Sequence, residues 1–494
     1  MQEVLLKVQE ALLPVVQTIN IYLTDYVLIF LLVGVGLFFT IRTKFVQVRC
    51  FGEGMKKVFG GLSLKGGKQK GGLSSFQALA TAIAAQVGTG NIVGACGAIL
   101  IGGPGAIFWM WVIAFLGMAT IYAEATLAQK TKQVNEDGSI AGGPVYYIKT
   151  AFKGKFGKGL AIFFAVATTL ALGFMGSMVQ SKSIASTMGK AFNIGEGFYW
   201  IIGIVVAALS AVIFLGGVDR LASVTEKMVP VMALLYIVGG LVVIFARIQY
   251  IPATFGMIFK YAFTPNALIG GGIGYALKTA ISQGAKRGLF SNEAGMGSTP
   301  HAHAQANVKT PHEQGVSAMI GVFIDTFIVL TMTALVVIST LYAGNGPLGD
   351  PAIYTMEGAL AAYPKANLAQ MAFGSIFWGE TFGSIFVAVC LFFFAFSTIL
   401  GWNFFGKINF QYLFGKKYTV VYTAIAVVFV FLGSIFSNDL VWELTDFFNY
   451  LMVLPNVIAL VALGSMVVGC LKEGKAAKEA AASAAEAEAK TDAE

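Results

Sequence analysis

Two short stretches hold the side chains best suited to grip a small polar solute. Residues 86–91 read Gln-Val-Gly-Thr-Gly-Asn, and residues 290–292 read Phe-Ser-Asn. Gln86, Thr89 and Asn91 offer amide and hydroxyl groups, and Gly90 leaves the backbone bare beside them. Both stretches carry an Asn three residues before a Gly, Asn91 with Gly94 and Asn292 with Gly295. Each Gly costs a helix roughly 1 kcal/mol relative to Ala, so these clusters predict opened helices. An opened helix presents amides that suit a carboxylate and carbonyls that suit a small cation. The same glycines also suit close helix packing. The recurrence of the break in two halves of the chain is what favours a central site.

Other residues extend that site. Ser397 and Thr398 are adjacent hydroxyls inside the apolar run CLFFFAFSTILGW. They can ligate a cation, or bond their own i−4 carbonyls. Phe174, Met175, Phe290 and Trp402 are bulky enough to form the wall of a small cavity. Lys286, Arg287 and Glu293 flank the second break, with Glu124 and Asp325 as the expected partners of Arg287. An alternative is that Glu124 snorkels from a helix end. His301, His303 and His312 share one loop, but H-x-H alone is a poor metal site. The four Cys are not paired at ligand spacing, and disulfides are not expected. There is no GxxxxGK[ST] loop and no evident nucleophile–base pair, so neither an ATP-driven pump nor an enzyme is expected. No catalytic residue and no organic cofactor is predicted.

The elements that position these residues are membrane spans. The chain has 494 residues, 57% hydrophobic and only 12% charged, against about 25% charged in soluble domains. Apolar runs of about 20 residues cross the hydrocarbon. Eleven are predicted: 26–41, 74–100, 105–129, 159–187, 198–216, 228–246, 268–297, 314–342, 377–404, 418–436 and 441–470. Residues 1–25 are expected to hold an amphipathic interfacial helix bent at Pro14, with no removable signal peptide. Span 26–41 is then an extra helix. Residues 74–246 and 268–470 form two five-helix halves of opposite direction, and 471–494 form a solvated, Ala/Glu-rich tail. Segment 343–376 is a long connection that could serve as a lid. Placing loops 42–72 and 130–158 inside collects 24 of the 33 Lys and Arg on the cytoplasmic side. By the positive-inside rule the N-terminus is outside and the C-terminus inside. This assignment also accounts for the net charge of +8 without nucleic acid.

Residues 102–117, GGPGAIFWMWVIAFLG, resemble the signature of the alanine or glycine:cation symporter family. GTGNIVG, AGGPVYYI, RGLFSNEAGMGS with PHAHA, and FSTILGW resemble that family's other blocks, in order. The resemblance covers about residues 20–470. It implies an all-α polytopic membrane protein of the leucine-transporter type, with five-plus-five inverted repeats and one added N-terminal helix. It implies import of alanine or glycine with sodium at the cell membrane. By resemblance, Gln86, Thr89, Gly90 and Asn91 meet the substrate's charged groups. Phe290, Ser291 and Asn292 form the facing wall, and Trp402 and Phe174 limit side-chain size. A sodium ion would take the backbone carbonyls of Ala84, Val87 and Phe394 and the hydroxyls of Ser397 and Thr398. Proton coupling through Glu124, Glu293 or Asp325 is the alternative within transport. A transporter-like channel or sensor is the alternative outside it.

Overall fold

The computed structural model describes residues 2–60, 72–136, 138–263, 273–349, 363–377, 379–436 and 438–491. The start of the expected span at 268–272 and the middle of the expected lid, 350–362, lie outside the described residues. Nearly all the rest is helix. Nine helices among the described residues are long and apolar enough to cross a membrane, ten with one bent pair counted as a span. They are α1 (Gln9–Arg42), the bent pair α2 (Ser75–Gln86) and α3 (Gly90–Gly102), α4 (Ala106–Thr131), α5 (Gly154–Phe192), α6 (Glu196–Phe214) and α7 (Gly217–Ala246). After α8 (Ile273–Asn292) come α9 (Pro311–Tyr342), α10 (Glu380–Phe414), α11 (Lys416–Ile435) and α12 (Asp439–Ala462). The chain ends in α13 (Gly464–Thr491). A two-stranded hairpin, Gln133–Val134 with Ile140–Ala141, follows α4.

Burial sorts the helices into a ring and a centre. The apolar stretches of α4, α5, α9 and α10 are mostly enclosed, whereas those of α6, α7 and α11 are mostly exposed. The exposed faces are apolar: Phe30, Leu215, Phe245 and Val420 all point outward. In water such faces would forfeit roughly 25 cal/mol per Å² of apolar area; in lipid they are at home. Polar residues turn inward, and Thr89, Asn91, Glu124, Ser291, Asn292, Glu293 and Asp325 are fully buried.

The spans differ from the sequence expectation in three places. First, 4–24 and 26–41 are not separated. They run on through a π-helical turn at Thr24–Leu28, with Pro14 inside the first helix, Gln2–Leu23. The 34 residues of α1 reach about 51 Å at ~1.5 Å per residue, well beyond a hydrocarbon core of about 30 Å. Second, α8 is continuous through Gly288 and stops at Asn292. With Lys278, Lys286 and Arg287 on board it is too polar to pass as an apolar span. Third, the expected span 441–470 ends at Ala462, and 464–470 open α13. Far from being wholly solvated, α13 is docked by Glu473 on Lys130 and Lys478 on Glu53.

Several spans carry π-helical segments at mid-length: Gly90–Gly94, Thr169–Gly176 in α5 and Phe323–Leu330 in α9. Such bulges widen the turn and free backbone groups. These three hold Asn91, Phe174 and Asp325.

Candidate substrate and ion site

The first break falls between α2 and α3, whose axes differ by 47°. Helix α2 starts on a capping box, Ser74 with Gln77, and stops at Val87, which leaves helical geometry at ψ 87°. Asn91 closes the gap by accepting the Gly88 amide on Oδ1 at 2.9 Å. The Thr89 amide donates to Gln180 Oε1 at 3.2 Å. Each such bond is worth about 1 kcal/mol net, so side chains replace what the backbone ladder lost. Gly88 is obligatory for space: a Cβ there would stand 2.3 Å from Thr398 Oγ1.

The second break lies just after α8, not within it. Glu293, Gly295 and Gly297 all have positive φ, at 58°, 91° and 81°. The chain then turns through the short helix Pro300–Ala304. Here the opened amides are already occupied. Glu124 accepts Gly295 N–H at 3.0 Å and Gly297 N–H at 2.9 Å, and Asn456 donates to the same carboxylate at 2.7 Å. Glu293 accepts from Ser298 Oγ and from the indole N–H of Trp402.

The two breaks touch. A Cβ on Gly90 would come 3.0 Å from Ser291 Cα and 3.2 Å from the Phe290 ring. Gln86 Nε2 donates to the Asn292 carbonyl at 2.7 Å. Asp325 joins both sides: Asn91 Nδ2 donates to Oδ1 at 2.6 Å, and Ser291 Oγ donates to the same carboxylate at 3.0–3.1 Å. Phe290 packs edge-on to Trp402 with centroids 5.6 Å apart, and against Trp442 at 4.8 Å. Around this contact Gln86 Oε1, Thr89 Oγ1, Gln180 Nε2 and Asn292 Nδ2 are buried without a hydrogen-bond partner. Each orphan costs about 1–3 kcal/mol, so these groups are poised for something polar.

Oxygens cluster on the other side of the first break. Thr398 Oγ1 lies 3.1 Å from both the Ala84 and the Phe394 carbonyl oxygens, and Ser397 Oγ lies 2.8 Å from Phe394 O. Both hydroxyls therefore bond within their own helix, as i−3 and i−4 contacts, and Thr398 also bridges to α2. Val87 occupies the unwound turn beside them. This is a group of neutral oxygens that a small monovalent cation can use.

Of the expected residues, Gln86, Thr89, Gly90, Asn91, Phe290, Ser291, Asn292 and Trp402 come together. Phe174 does not join them: its ring packs on Phe429 at 4.9 Å and on Tyr422 at 5.6 Å. Arg287 pairs with neither Glu124 nor Asp325. It meets Asp446 at 3.4 Å and lies over Trp442, while Lys286 takes Asp446 at 2.9 Å. Glu124 is buried rather than snorkelling. The three His do not gather: His301 bonds Ser298 O and Asn409, His303 bonds Gln314, and His312 bonds Tyr122. Burial lowers His301 to about 4 and His303 to about 3, leaving both neutral. Sequence reading missed Gln180, whose only signal is an amide in the apolar span that also holds Phe174. It also missed Asp325 as a link between the breaks.

A cavity of about 810 Å³ reaches from Leu400 and Asn403, which flank Trp402 on α10, past Lys407 to the hairpin at Ser139 and to Gly72. The model of the sodium:alanine symporter family matches residues 9–488. The chain belongs to that family. It is 39% identical over 454 residues to the sodium/alanine symporter AgcS of Methanococcus maripaludis, covering 92% of this chain and 95% of AgcS. It is 39% identical over 463 residues to YrbD of Bacillus subtilis, described as a putative sodium/proton-dependent alanine carrier, covering 93% and 91%. Among solved structures, MhsT in complex with L-phenylalanine superposes with a TM-score of 0.55 at 14% identity, covering 81% of this chain and 89% of MhsT. That likeness establishes the fold. The family member is thus an all-α, multi-pass membrane transporter that couples amino-acid movement to a cation, and not an enzyme.

Proposed function

We propose that this transporter imports a small neutral amino acid, alanine or glycine, together with sodium by alternating access. The observation that carries the reading is the set of orphaned groups where the breaks meet. Gln180 Nε2 and Asn292 Nδ2 are donors for a carboxylate, and Gln86 Oε1 and Thr89 Oγ1 are acceptors for an ammonium. A zwitterion brings both. Phe290 and Trp402, packed edge to face, are assigned as the wall that limits side-chain length. Sodium is assigned to Ala84, Val87, Phe394, Ser397 and Thr398, where carbonyls of the opened turn face paired hydroxyls. Phe174 limits the site only at one remove, through the α5–α11 contact.

The two five-helix halves, 74–246 and 268–470, are proposed to rock about this site. The cavity that reaches out from Leu400 and Asn403 is the release route. By the positive-inside rule we assign that route, and the C-terminus, to the cytoplasmic side of the cell membrane. Relatives named for sodium and alanine support the assignment.

Proton coupling is the second reading. It is favoured by Asp325 and Glu293, two buried carboxylates whose bonds come from neutral donors only. Uptake of labelled alanine and glycine into proteoliposomes under a sodium gradient, a proton gradient, or neither decides between them. Accumulation with sodium alone is expected. Accumulation with protons alone transfers coupling to Asp325 and Glu293. Equilibration without accumulation replaces the symporter with a channel.

A further inference from the structure

One cluster on the face of the basic loops has no part in transport as read above. Cys50 ends the turn Val46–Arg49, and Glu53 lies in the helix Phe51–Gly60. His312 stands in the first turn of α9. One ligand atom from each, sulfur, carboxylate oxygen and ring nitrogen, lies within 4.8 Å of the others. Cys50 is a free, buried thiol.

His312 gives the cluster direction. The ring is 1% exposed, and its Nε2 makes no hydrogen bond although Glu53 Oε1 is 3.4 Å away. Its other nitrogen, Nδ1, is 2.7 Å from the Tyr122 hydroxyl. A partner on one ring nitrogen orients the ring and aims the other nitrogen, as metal-ligating histidines are aimed. From the far side α13 closes over the ring, since a Cβ on Gly474 would stand 2.3 Å from His312 Cβ. Lys478 holds the second oxygen of Glu53 at 2.9 Å.

We propose that Cys50, Glu53 and His312 form a binding site for a transition-metal dication, best matched by Zn²⁺. Thiolate, carboxylate and imidazole are the three ligand types zinc takes, at about 2.0–2.3 Å, and in a tetrahedron they stand about 3.5 Å apart. The His312–Glu53 spacing of 3.4 Å already meets that figure. The sulfur, within 4.8 Å of the other two atoms, has to close by up to about 1.3 Å to complete the set. Calcium and magnesium, which want oxygen alone, do not match. A bound thiolate and carboxylate cancel the dication's charge, so nearby Lys475 and Lys478 face a neutral site. A water would fill the fourth position. The metal would join the segment after α1 to α9 and, through Glu53 and Lys478, to the docked tail helix.

The test is titration of the full-length protein in nanodiscs with Co²⁺ alone, followed by Zn²⁺. The expected result is one Co²⁺ per chain with a thiolate-to-cobalt absorption band that Zn²⁺ abolishes. Cys50→Ser should lose the band, and Cys470→Ser should keep it. Glu53→Gln, at a partly exposed position, should weaken Co²⁺ by about a hundredfold, and Tyr122→Phe by about tenfold. Absence of a thiolate band at saturating Co²⁺ overturns the proposal. So does a band that persists in Cys50→Ser or vanishes in Cys470→Ser, and so does unchanged affinity in Glu53→Gln.

Discussion

The two helix breaks look alike in sequence and are opposites in structure. At the first, between α2 and α3, freed groups are held by neutral side chains, and several polar atoms around them stay unpaired. At the second, after α8, the freed amides of Gly295 and Gly297 are consumed by the Glu124 carboxylate, itself braced by Asn456. An open backbone can therefore serve a ligand or serve the fold, and its partners decide which. The site proposed above is built on the first break. The second is an anchor that offers only its leading edge, Phe290 to Asn292, to the site.

The sharpest way to break this contrast is to remove the anchor. Glu124→Ala leaves the amides of Gly295 and Gly297 without an acceptor and leaves Asn456 Nδ2 only the Gly295 carbonyl. Each buried orphan costs about 1–3 kcal/mol, so a loss of about 2–6 kcal/mol is expected. The variant should unfold at a much lower temperature in detergent, whatever substrate is present. A variant as stable as the wild type would mean that the second break is not an anchor.

Asn91→Leu probes the first break. It removes the Gly88 acceptor and the Asp325 donor together, and alanine binding should fall about thirtyfold, the equivalent of two lost hydrogen bonds of about 1 kcal/mol each at ~1.4 kcal/mol per decade. The fold should survive better than in Glu124→Ala, because α2 and α3 remain packed. Isothermal titration beside thermal unfolding separates the two effects. Undiminished binding would remove Asn91 from the site.

Much of this was legible before any coordinates. Gly88, Gly90 and Asn91 announce an opened helix, because glycine and a short amide are what an open backbone needs. The apolar runs mark most spans to within a few residues. Partners distant in sequence are another matter. Arg287 was expected to meet Glu124 or Asp325, yet Asp446 and Trp442 hold it. Nothing local in α12 signals that choice. At the second break Asn292 and Gly295 mark the place, but the helix runs on through Gly288 to Asn292 and the positive φ falls at Glu293, Gly295 and Gly297. Gln180 was hidden because one amide in an apolar span carries no periodic signal.

On the cation side of the first break, Ser397→Ala with Thr398→Val removes both hydroxyls and keeps the helix. If sodium sits there, the sodium concentration for half-maximal uptake should rise about tenfold, since two of the assigned oxygens are lost while three carbonyls remain. Uptake at saturating sodium should be nearly normal. An unchanged sodium dependence would place the ion elsewhere and leave the hydroxyls as ordinary helix back-bonds.

The smallest effect is expected where the two breaks share a side chain. Trp402 is fixed by the Glu293 carboxylate on one edge and by Phe290 on the other. Gly176 lies so close that a Cβ there would overlap the indole. Trp402→Ala should open the wall and admit longer side chains, with selectivity for alanine over valine falling by about tenfold, the discrimination that a methylene or two in a pocket supplies. Glu293→Gln keeps an oxygen that can accept the indole N–H, so selectivity should stay within about twofold of wild type. Glu293→Leu leaves the indole unmoored and should relax selectivity toward the Trp402→Ala value. Competition uptake with the two substrates measures all three variants. If Glu293→Leu and Glu293→Gln behave alike, the carboxylate does not position the indole, and the anchor and the site are coupled through Phe290 alone.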